Sequence, residues 1–206
     1  MDPEEIKAKK KENDIALKTV ASIIVFIFLI AACYFSFRFL RCFSSSNKIG
    51  YMPSYEQIHF VIYGSSEESV SGRFVLYDTS NREISEIERS WNSTELSIVF
   101  ESAIFNKRKY VFPCKIIGGD DSKMSGTLLY PYYMENRQCL LVSKIYTQKQ
   151  KKALYNLGTF ALKSRMKMFS KFSSESVINL SECIPGKEYY ILISQSGEIN
   201  LLPVSE

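Results

Sequence analysis

The chain has 206 residues, of which 46% are hydrophobic and 14% aromatic, and a formal net charge of +4. That length leaves room for one domain with a real core beyond any leader, and a single histidine argues against a metal site built from several imidazoles. Thirteen tyrosines and fourteen phenylalanines suit strands better than helices.

Residues 1–19 read as a charged cytoplasmic leader whose lysines also favour anionic headgroups. Residues 20–43 are predicted to be a transmembrane signal anchor. Val20–Phe37 carries no charge. An α-helix satisfies its own backbone groups in hydrocarbon, and at its rise per residue this run spans roughly 27 Å, just short of the bilayer core. Phe39, Leu40, Cys42 and Phe43 extend it by about one turn. Lys18 on one side and Arg38 and Arg41 on the other mark the membrane boundary, where long basic side chains snorkel to the headgroups. Lys7, Lys9, Lys10, Lys11 and Lys18 outnumber Arg38, Arg41 and Lys48, which orients the N-terminus to the cytoplasm and the C-terminal domain outside, in the periplasm or at the surface. Ile30-Ala31-Ala32-Cys33 has a lipobox pattern and makes Cys33 a candidate lipidation site. The apolar run continuing from Tyr34 to Phe43 favours the uncleaved anchor instead.

Residues 44–53 read as a polar linker, and residues 54–206 as an extracytoplasmic β-rich domain. Gln57–Tyr63 alternates, with Ile58, Phe60 and Ile62 on one face. Arg73–Asp78, Glu83–Trp91 and Glu95–Phe100 are further predicted strands. Asn106-Lys107 turns the chain into Arg108–Ile117, where Pro113 implies an edge or a strand end. Gly118-Gly119-Asp120-Asp121 is a turn. Thr127–Tyr133 and Cys139–Tyr146 are predicted to pair across Met134–Arg137. Thr147–Leu157 is the predicted helix, capped by Thr147 and ended by Gly158. Phe160–Met168 alternates as a strand with Lys163, Arg165 and Lys167 on one face, and Glu188–Ser194 pairs with Glu198–Leu202. The expected fold is therefore an N-terminal transmembrane helix plus a mainly β domain, an antiparallel sandwich or partly open barrel, with one short helix.

No catalytic, cofactor or metal motif stands out. Cys114, Cys139 and Cys183 lack zinc spacing and read as small buried residues. His59 lies between Ile58 and Phe60 and reads as a sheet-face histidine. Tyr51-Met52-Pro53-Ser54 resembles the signal-peptidase nucleophile motif, but Tyr stands where the serine is needed. Glu67-Glu68 and Asp120-Asp121 read as solvated loop carboxylates, the second a partial calcium pattern. Gly118-Gly119 lacks the rest of a phosphate loop.

Electrostatics is the clearest functional hint. Residues 136–174 contain no Asp or Glu but carry Arg137, Lys144, Lys149, Lys151, Lys152, Lys163, Arg165, Lys167 and Lys171. Lys163, Arg165 and Lys167 are the candidate basic interaction strip. Such a face near a membrane attracts lipid phosphates, an acidic envelope component or an acidic partner protein. Nucleic acid is disfavoured, since no recognition motif accompanies the charge.

Gly72–Asp78, Ile87–Trp91 and Val111-Phe112-Pro113 resemble stretches of uncharacterised membrane-anchored proteins of spirochaetes. The resemblance implies an envelope location and transfers no activity or site residue. The expected function is a membrane-anchored envelope binding or scaffolding protein without catalysis. An accessory bitopic subunit of a secretion or division complex is the alternative, and an envelope hydrolase the third reading.

Overall fold

The computed structural model describes residues 3–66, 68–119, 126–163 and 171–204. The chain divides into two compact units, Met1–Arg41 and Cys42–Glu206.

Helix α1 runs from Pro3 to Ile49. Within Leu17–Ile49 it has a window of mean hydropathy 2.6 with none of its residues buried, so it is long and apolar enough to cross a membrane. It does not stop at the predicted linker. Ser44–Ile49 stay helical, and Gly50 at φ +74° ends the helix in the left-handed region. The Gly50 N–H returns to the Ser46 carbonyl at 3.3 Å, which closes an αL cap. The last two turns of α1, from Cys42, therefore belong to the second unit, and residues 44–49, expected as linker, are helical.

The second unit is mainly β. One antiparallel sheet has five strands in the order β11-β10-β1-β2-β3. These are β1 (Tyr55–Ser65), β2 (Val70–Tyr77), β3 (Glu83–Trp91), β10 (Glu188–Ile193) and β11 (Ile199–Pro203). The other has the order β6-β5-β4-β9, from β4 (Leu96–Phe105), β5 (Arg108–Gly118), β6 (Thr127–Leu128) and β9 (Ser173–Asn179). Both sheets are antiparallel, so the second unit is the expected mainly β domain.

The alternation in β1 puts Ile58, Phe60 and Ile62 into the core, where Phe60 stacks on Phe74 at 5.4 Å and on Tyr189 at 5.7 Å. Asn106 and Lys107 both take positive φ, as a two-residue hairpin turn requires, and join β4 to β5. Pro113 lies inside β5 rather than at its end. It pairs with Phe100 beside a register shift, and β6 pairs only Lys115 and Ile116 on the other side, so its missing N–H breaks no ladder there.

Two predicted elements are corrected. The expected pairing of 127–133 with 139–146 shrinks to β7 (Met134–Glu135) and β8 (Gln138–Cys139), preceded by a 3-10 turn at Tyr130–Tyr132. Helix α2 runs from Gln148 to Lys163, through Gly158 and into the predicted strand. Its buried side is Ala153, Leu154, Leu157, Phe160 and Ala161, a helical stripe that outweighs the alternation over 160–163, while residues 164–168 of the predicted strand lie outside the described residues. Gly158 is a packing residue and not a stop. A Cβ there would sit 2.0 Å from Met134 Cε and 3.0 Å from the Phe112 ring.

Candidate interaction surface

The end of α1 is seated in the domain by side chains that are small and polar in sequence. Cys42, Ser45, Ser46 and Ile49 are buried. Ser46 Oγ donates to the Phe105 carbonyl at 3.2 Å and lies 3.1 Å from Tyr110 Oη. The helix-terminal carbonyl of Ser46 also accepts from Arg108 at 3.2 Å, and Tyr110 reaches the Gly50 carbonyl at 3.1 Å. The Ser46 carbonyl, already bonded by the Gly50 N–H, thus gains a cationic donor at the negative end of the helix. The Arg108 guanidinium lies 4.5 Å over the Tyr51 ring, so its charge is engaged locally. Asn106 of the β4–β5 turn donates to Asn47 at 2.8 Å and contacts the Phe43 carbonyl at 3.5 Å.

Helix α2 packs on β4, β5 and β8 and runs alongside this seat. Thr147 and Gln150 form a reciprocal capping box: the Thr147 N–H donates to Gln150 Oε1 at 2.9 Å, and the Gln150 N–H to Thr147 Oγ1 at 3.3 Å. Thr147 thus caps the helix as its sequence implies. Gln150 Nε2 continues to the Lys48 carbonyl at 3.4 Å, and Asn156 donates to Ser45 Oγ at 3.2 Å. Phe105 then meets Phe160 at 5.1 Å and Phe172 at 5.7 Å.

The basic strip is only partly placed. Lys163 is the last residue of α2 and not part of a strand, whereas Arg165 and Lys167 lie outside the described residues. Arg137, Lys144, Lys149, Lys152 and Lys171 are exposed. Lys18, Arg38 and Arg41 lie on α1, and the helix runs unbroken through the exposed Cys33. Glu67, Asp120 and Asp121 fall outside the described residues.

His59 sits on the half-exposed face of the five-stranded sheet. Its Nε2 is 2.7 Å from Glu56 and its Nδ1 3.4 Å from Glu188, with the Tyr77 ring at 4.7 Å and the Tyr190 ring at 5.7 Å. One N–H serves the short bond; the second contact becomes a hydrogen bond only on a doubly protonated ring. Nearby, Arg73 makes a two-pronged pair with Glu86, at 2.6 and 3.1 Å, which draws the Glu86 carboxyl below its usual range.

Among the described residues no disulfide links the cysteines. Burial pushes Cys139 up to about 12 and Cys183 up to about 11, so neither is a poised thiolate. His59 thus meets carboxylates and tyrosine rings, and among the described residues its hydrogen bonds go to Glu56 and Glu188. Among the described residues no three His, Cys, Asp or Glu side chains converge as metal ligands. No family model, curated protein or solved structure matches the chain.

Proposed function

We propose that this chain is a membrane-anchored binding or scaffolding protein of the cell envelope. Its domain lies outside the cytoplasm, performs no catalysis and holds an anionic component of its surroundings against a basic surface. The envelope location draws on the spirochaete resemblance, and the sidedness on the lysine excess before the span.

One observation carries the binding reading. The acid-free interval 136–174 contains α2, whose first turn has no acidic residue and whose early positions carry Lys149, Lys151 and Lys152. A cation at a helix N-terminus opposes the helix dipole by about 0.3–1 kcal/mol. These lysines therefore do not serve the helix, and an anionic partner gives them a use. In sequence, Lys163, Arg165 and Lys167 extend the same run.

Replacing Lys149, Lys151 and Lys152 together with Gln is expected to lower the salt concentration that elutes the detergent-solubilised protein from immobilised polyglutamate, without lowering its thermal midpoint. An unchanged elution point removes the basic-surface reading. Protease accessibility in intact and permeabilised cells tests sidedness independently.

A further inference from the structure

Three long acid-free stretches, residues 15–55, 102–119 and 136–174, are far apart in the chain. They meet at one end of the domain, where Cys42 joins it. Asn106 from the second holds Asn47 and Phe43 of the first. Gln150 and Asn156 from the third hold Lys48 and Ser45 of the first. Phe160 and Phe172 from the third flank Phe105 of the second. Glu56, Glu86, Glu88 and Glu188 belong instead to strands of the five-stranded sheet, all at least partly exposed. The three acid-free stretches thus converge around the last turns of α1, with Lys107 and Lys171 exposed there.

Resting on the basic-surface reading above, we propose that the anionic component is the headgroup layer of the bilayer that holds α1. Chain connectivity supports this source. Phe43 is two residues beyond Arg41, at most about 7 Å of chain, so the β4–β5 turn that contacts Phe43 stays close to the membrane boundary. Lys107 in that turn is exposed at φ +61°. Lys171 is exposed beside Phe172, whose carbonyl accepts from the Ile104 N–H at 2.8 Å, on the same end of β4. Both amines fall where the surface potential of anionic lipid acts, within roughly a Debye length of 8 Å once the domain settles. Arg108 is not counted, because Ser46 and Tyr51 already engage it. Each lysine brought to the surface shifts the settled state by about fivefold.

The test uses the full chain in vesicles of phosphatidylcholine, with or without phosphatidylglycerol, and a neutral amine-acylating reagent read by mass spectrometry. Labelling of Lys107 and Lys171 is expected to fall by about tenfold or more on the anionic vesicles and to recover at high salt. Lys187 is the control. It is exposed and follows Gly186, which bonds Ile62 at the far end of β1, and its labelling should be the same on both vesicles. Equal labelling of Lys107 and Lys171 on the two vesicles overturns the proposal. Lys107→Glu with Lys171→Glu should remove the anionic protection of Lys48 and Lys149; protection that persists shows that these two amines do not carry the attraction and also overturns it. If soluble polyglutamate protects these lysines while anionic vesicles do not, the headgroup assignment falls and the basic surface stands. If neither protects them, both fall.

Discussion

The two sheets of the domain solve different problems. In the β4–β5 pair, buried positions run on without alternating, because α2 covers one face and core the other. In the five-stranded sheet, β3 exposes Glu86, Glu88, Arg89 and Ser90 and buries only Ile87 and Trp91. The first sheet is a scaffold clamped between layers, and the second keeps a solvated polar face. Changes in the clamped sheet propagate into packing, whereas changes on the solvated face stay local.

The comparison is broken most directly at Gly158. Gly158→Val places branched carbon where Met134 and Phe112 already sit, and overpacking of this kind costs about 1–3 kcal/mol. The thermal midpoint should fall clearly, while Gly64→Ala on β1, where a Cβ meets nothing within 4 Å, should leave it nearly unchanged. Equal effects would mean that α2 does not clamp the sheet. Ser46→Ala is the intermediate case. It deletes a buried hydroxyl bonded to Phe105 and leaves Tyr110 with one partner fewer, a loss of about 1–2 kcal/mol in denaturant unfolding. No loss would detach the end of α1 from the domain. The smallest effect belongs to Arg73→Gln. Arg73 and Glu86 are 43% and 38% exposed, so their pair is screened by water and salt, and the unfolding midpoint should not move. A shift that persists at high salt would show that the solvated face is also a structural one.

How much was legible in the sequence follows the same division. Ile58, Phe60 and Ile62 alternate in sequence and point to one core face, and Glu83–Trp91 matches β3 at both ends. Asn106-Lys107 was readable because asparagine tolerates positive φ. The clamped region was harder to read. Residues 160–163 fit both periods locally, and only the stripe beginning at Ala153 resolves them as helix. Gly158 imitates a helix stop when its real constraint, Met134 and Phe112, comes from elsewhere in the chain. Ser173–Asn179 carries a serine-rich face and no clear strand signal, yet it pairs along β4. The seat of α1 was hidden for the same reason. Ser44–Asn47 has linker composition, and the burial of Ser46 within it depends on a carbonyl at Phe105 and a hydroxyl at Tyr110. Of the basic surface, the charge run was visible in sequence, but its junction with residues 102–119 required the fold.

The lone tryptophan has a practical consequence. Trp91 is 6% exposed, edge-on to Phe74 at 5.5 Å, and its indole N–H donates to Thr127 Oγ1 at 3.0 Å, which bridges β3 to β6. Its emission therefore reports how closely the two sheets remain joined at that corner. A red shift there, with far-ultraviolet dichroism unchanged, would reveal the sheets parting before either one melts.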